Sequence, residues 1–156
     1  MNPQDQFGDG VIWDLDSWRQ PPQWLLDFFA EPIGNMYGIV QAIFYSFPDS
    51  VVTSWYRPQS VQDQLRRTNA RAARVSQHSW LTAFDISNPD PTTYPVMAQI
   101  AAYWDPTVAS WPRADGSGGY EDGPHFHMQQ WLGHTPTWEA WYAALQDFQT
   151  TYGVLA

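Results

Sequence analysis

Apolar positions recur at helical spacing most clearly in the first third of the chain. Met36, Ile39, Val40, Ile43, Phe44 and Phe47 line one side of a helix predicted over Met36–Phe47, and Pro48-Asp49-Ser50 ends it. A shorter helix is predicted over Trp24–Phe29, after two prolines and stopped near Pro32. Met1–Gln23 mixes Asp, Gln, Gly and Pro with two tryptophans and is expected to be an irregular lead-in. The pattern then changes period. Val51–Tyr56 is β-branched and aromatic and predicts a strand that runs into Arg57-Pro58. Val61–Ala73, rich in Gln, Arg and Ala, predicts a helix with one side in solvent. Ala83–Ser87 predicts a second strand, and Val96, Ile100 and Tyr103 give Pro95–Trp104 a helical period. After a glycine-rich loop at Asp115–Gly119, His125–Trp131 predicts a third strand. Thr137–Tyr152 predicts a closing amphipathic helix with Trp138, Trp141, Tyr142, Leu145 and Phe148 inward. Helices and strands mixed in this order indicate a single α+β domain with a small central sheet.

Composition narrows the chemistry. At 156 residues, 44% of them apolar, the chain can bury a core without covalent help. It has no cysteine, so disulfides and thiolate metal sites are both excluded, and a zinc ion would need imidazole and carboxylate ligands. The four histidines that could serve are His78, His125, His127 and His134. All seven basic residues are arginine, which removes lysine-based Schiff-base chemistry. A net charge of -9 argues against nucleic acid as a partner. No stretch approaches the roughly 18 apolar residues of a membrane span. Met1–Gly10 lacks the basic and apolar regions of a secretory signal, so delivery beyond the cytoplasm is expected to depend on something else.

Three segments carry candidate chemistry. In His125-Phe126-His127-Met128 the alternation of a strand puts both imidazoles on one face and Phe126 and Met128 in the core. Asp85 falls between Phe84 and Ile86 in a predicted strand, seven residues after His78. A buried carboxylate there needs a metal or an arginine as partner, or else it caps the following loop from an edge strand. Arg57 follows Thr53-Ser54-Trp55-Tyr56 at the end of a strand, where a guanidinium can bind a carboxylate or a developing oxyanion, or make a surface ion pair. Most of the ten tryptophans are expected in the core, and Trp80, inside the middle segment, is expected to line a cleft.

Taken in order, Ser54-x-Tyr56-Arg57, then Ser76-x-His78 with six residues before Asp85, then His125-x-His127, resemble the M15 family of zinc D-Ala-D-Ala carboxypeptidases and L-Ala-D-Glu endopeptidases, which includes bacterial wall enzymes and phage endolysins. The resemblance runs from about Met36 to Gln129. It implies the fold of hedgehog and DD-peptidase domains, a small central antiparallel sheet with flanking helices. It also implies zinc held by His78, Asp85 and His127, Arg57 stabilising the substrate, and His125 beside the metal. The implied partner is the peptidoglycan stem peptide. The implied location is the host cytoplasm or a virion, with action at the bacterial cell wall. The chain departs from the family pattern at Leu81, where glycine is usual, at Phe84, where a small residue is usual, and at Pro124, where an acidic base is usual. Leu81 implies a different loop path near the metal, since glycine serves where the backbone demands it. Pro124 implies that His125, or Glu121 and Asp122, acts as the base. Leu81 and Pro124 also favour a second reading, a non-catalytic zinc-binding structural or wall-binding virion protein that assembles with other virion proteins. A set of three histidines, His78, His125 and His127, with Asp85 behind them, is the alternative ligand arrangement.

Overall fold

The computed structural model describes residues 2–8, 10–70, 76–118 and 125–130. Its centre is a four-stranded antiparallel sheet of β1 (Val51–Ser54), β2 (Ala83–Ser87), β3 (Val108–Trp111) and β4 (Phe126–Gln130), in the order β1-β2-β4-β3. Among the described residues the α-helices are α1 (Pro3–Phe7), α2 (Gln23–Phe28), α3 (Ala30–Ser46), α4 (Gln59–Thr68) and α5 (Tyr94–Trp104). The expected α+β class with a small antiparallel sheet is therefore what the chain adopts.

Period-two alternation explains the two faces of the sheet. Val52, Phe84, Ile86, Phe126 and Met128 enter the core with Ile33, Met36, Val40 and Ile43 of α3 and Met97 and Ala101 of α5. The alternate residues Ser54, Asp85, His127 and Trp111 stand in register across the other face. In β1 the register shifts between Val52 and Ser54, so Thr53 is an extra residue and Ser54 is brought opposite Asp85.

Several expectations need correction. Pro32 does not stop the helix before it. It lies in the first turn of α3, where its missing N–H would have no intrahelical partner anyway, and α3 therefore starts at Ala30 rather than Met36. The lead-in is not irregular throughout. It contains α1, capped by Asn2 and Asp5, and Trp13 bridges Val52 with Val52 N–H donating to Ile12 O at 2.8 Å, which covers the outer edge of β1. α4 begins at Gln59 and ends at Thr68, short of the expected Ala73. β3 was not expected at all. The predicted helix Thr137–Tyr152, the residues Glu121, Asp122 and Pro124, and the ends of the Asp115–Gly119 loop and of the strand to Trp131 lie outside the described residues. Among the described residues, no helix is long and apolar enough to cross a membrane.

Candidate metal centre

The site is assembled where the end of β1 meets the 3₁₀ turn Gln77–Trp80. Ser76 caps this turn by accepting from His78 N–H. Arg57 N–H donates to His78 O at 3.0 Å and Ser79 Oγ–H donates to Arg57 O at 2.7 Å, so a backbone bond and the Ser79 hydroxyl tie the two segments together. Trp55 makes two further ties. Its carbonyl accepts from His78 Nδ1 at 2.8 Å, and its indole N–H donates to Leu81 O at 3.1 Å.

Leu81 closes the turn in the left-handed region, at φ 64° and ψ 13°. The leucine does not divert the loop into an ordinary conformation, as its presence suggested. The position keeps the backbone that favours glycine, at a cost of roughly 1–2 kcal/mol for a side chain with a Cβ, and its fully buried side chain offsets that cost. Phe84 lies on the core side of β2, stacked on Trp55 and away from the polar face.

On that polar face, His78, Asp85 and His127 are all buried and offer ligand atoms within 4.8 Å of one another. His78 Nε2 lies 3.2 Å from Asp85 Oδ2, and His127 Nδ1 lies 2.8 Å from Asp85 Oδ1. The other nitrogen of each ring faces an oxygen. A backbone carbonyl only accepts, so His78 Nδ1 carries the proton and Nε2 presents a lone pair. Gln129 Oε1 lies 2.9 Å from His127 Nε2, so with an ion bound Nε2 would donate to it and Nδ1 would turn its lone pair to the ion, whereas without one Nδ1 can donate to Asp85 Oδ1 instead. Two imidazoles and a carboxylate thus converge, and a shared cation is one partner that would satisfy all three. Burial pushes the pKa of His78 below its ordinary 6.5, against the opposing pull of Asp85, so this ring resists taking up a proton. Burial acts to raise the pKa of Asp85, but the two histidines beside it, His78 foremost, prevail and hold it well below 3.8. A neutral buried imidazole beside an ionised buried carboxylate is the protonation state that metal ligation requires. The triad can hold a metal ion.

Two further residues from the sequence reading reach the triad. Arg57 places its guanidinium 3.7 Å from Asp85 Oδ2, held there by donating to Gln62 Oε1 at 3.0 Å and Ser54 Oγ at 3.2 Å. His125 Nε2 lies 3.9 Å from Asp85 Oδ1, and its side chain is 19% exposed against 3% for His78 and 7% for His127. Asp85, not His125, therefore joins His78 and His127 in the buried set, and His125 stands at its solvent side.

Trp80 does not line the site. It is buried in the core against Phe29, because the 3₁₀ turn points it inward. The aromatic residue beside the triad is Trp111, opposite His127 in the β3–β4 register and with ring centroids 5.6 Å apart. Only the recognition of β3 could have located it, and Val-Ala-Ser-Trp followed by proline is a weak strand signal. Set against known proteins, the chain matches neither a family model nor a curated sequence.

Proposed function

We propose that the protein is a zinc-dependent peptidase of the M15 type that cleaves peptidoglycan stem peptides, as a DD-carboxypeptidase or an L-Ala-D-Glu endopeptidase, in the manner of a phage endolysin or virion enzyme. The observation that carries this reading is the convergence of His78 Nε2, Asp85 and His127 Nδ1 with the Arg57 guanidinium beside them. Two imidazoles and one carboxylate are the ligand set of hydrolytic zinc sites, which keep a position for water or substrate. When bound, zinc supplies Lewis acidity, polarising an amide carbonyl and making water a stronger nucleophile at neutral pH.

The chain's own residues do the rest. Arg57, permanently charged and braced by Ser54 and Gln62, donates to the oxyanion that develops on the scissile carbonyl. His125, more exposed than the two histidines of the triad, accepts the proton of the attacking water at Nε2 and returns it to the leaving amine. Gln129 and the Trp55 carbonyl fix the tautomers of His127 and His78.

The test is digestion of purified peptidoglycan with and without chelator, followed by identification of new peptide termini. One zinc per chain is expected, lost in His78→Ala and His127→Ala. Arg57→Ala is expected to keep zinc while kcat/KM falls roughly 10²-fold, the scale for one oxyanion donor. Zinc-loaded, folded protein that releases no termini from several wall types would instead support a structural or wall-binding virion role.

A further inference from the structure

We infer that the β3 side of the triad is a specificity subsite for a carboxylate on the substrate, with Arg113 as the recognising group and Trp111 as its platform. It rests on the peptidase reading only in taking the substrate to be a peptide.

The row Ser54, Asp85, His127, Trp111 crosses the sheet from β1 to β3. A guanidinium stands at each end of it. Arg57 is at the β1 end, and at the other Arg113 has its guanidinium carbon 5.4 Å from the centroid of the Trp111 ring. At that distance the guanidinium makes a cation–π contact with the ring, and its exposed N–H groups can meet a carboxylate. Trp111 is half-buried and Arg113 is exposed, so the charge faces solvent beside the ring.

The loop that carries Arg113 is tightly closed. Arg113 N–H donates to Ser117 O and Gly116 N–H donates to Arg113 O, both at 2.8 Å. Asp115 Oδ1 accepts from Ser117 N–H at 2.9 Å and Ser117 Oγ–H at 2.6 Å, and its carboxylate also feels the Arg113 charge. Gly118, at φ 70°, lies so close that a Cβ would come to 3.4 Å from Trp111 Cδ1 and 3.8 Å from Arg113 Cγ. In a chain of net charge -9 with seven arginines, two of them bracket this one row, with Asp85 between them. Arg113 is two short steps from the triad, 5.4 Å to the Trp111 ring and 5.6 Å from there to the His127 ring. Extended peptide advances about 3.3–3.6 Å per residue, so the acidic residue sits roughly two to three residues from the bond over the triad.

The test uses zinc-supplemented full-length protein and blocked Ala/Gly hexapeptides carrying one glutamate, of either hand, moved along the peptide, each paired with its glutamine counterpart. Calorimetry reads affinity and mass spectrometry of the same samples reads cleavage. At one position the glutamate peptide is expected to bind about tenfold more tightly than its glutamine partner, the worth of one charge-assisted contact. Arg113→Ala should abolish that preference and Arg113→Lys should restore part of it. Equal binding of all pairs, no binding of any peptide, or a preference that survives in Arg113→Ala overturns the subsite. A preference without cleavage leaves the subsite standing and removes the peptidase reading, whereas cleavage without a preference does the reverse.

Discussion

Leu81 combines a fully buried side chain with a left-handed backbone, and the two make opposite demands on any replacement. Truncation to alanine keeps the strain and opens a cavity, for about 2–5 kcal/mol. Truncation to glycine loses the same packing but releases roughly 1–2 kcal/mol of backbone strain, more than the ~0.5–1 kcal/mol by which glycine is ordinarily worse than alanine. Leu81→Gly is therefore expected to be at least as stable as Leu81→Ala in urea unfolding. The usual order, alanine above glycine, would show that the turn relaxes out of the left-handed region in solution. Gln129 is the second informative residue. Its amide oxygen holds His127 Nε2, so Gln129→Leu is expected to weaken zinc binding about 10–100-fold while Gln129→Glu, which keeps an acceptor, is milder. Equal affinities in the two variants, read by competition with a chromogenic chelator, would remove Gln129 from the site.

At the level of elements, what was legible followed from strand parity. Ala83–Ser87 has the expected bounds, and its alternation alone placed Asp85 opposite Phe84 and Ile86, just as that of β4 placed His127 opposite Phe126 and Met128. What was hidden depends on partners far away in sequence. The four residues of β3 acquire their strand only by pairing with β4. The bulge at Thr53 exists only against β2, and the value of Pro32 depends on which turn of a helix it occupies. The N-terminal segment was hidden for the same reason. Phe7, Trp13 and Trp18 pack around Trp55 at centroid distances of 5.0, 6.1 and 5.5 Å, and Trp55 in turn holds His78 through its carbonyl and Leu81 through its indole. The segment thus braces the candidate metal centre without touching it. Trp13→Ala is expected to cost about 3–5 kcal/mol in stability and, measured well below the unfolding transition, to weaken zinc binding as well. Unchanged zinc affinity in a folded Trp13→Ala protein would confine the segment to a packing role.

Across the whole molecule, the proposed metal and protons would compete for one buried cluster in a chain with a large negative charge. At a zinc concentration 100-fold above its dissociation constant, binding contributes about 2.7 kcal/mol. For a chain of this size that is a rise in Tm of roughly 5–10 °C, reversed by chelator. The proton side has a definite sign. The pKa of His78 is lower folded than unfolded, so below its ordinary 6.5 the unfolded state binds more protons and folding weakens as pH falls. Asp85, also lowered, adds stability that is present above 3.8 and is lost only as pH falls further, through its depressed folded value. Global charge acts the other way, because a chain at -9 repels itself less as acid neutralises its carboxylates. The raw Tm of metal-free protein therefore mixes opposing slopes, and the informative quantity is a difference. Between pH 7 and 5 the stability of chelated wild-type protein should fall relative to that of His78→Gln, which carries the same overall charge at neutral pH but has no ring to protonate. A wild-type curve parallel to that of the variant across this window would mean that His78 titrates in the folded protein as it does in the unfolded chain, and the account of a buried, proton-resisting His78 would fail.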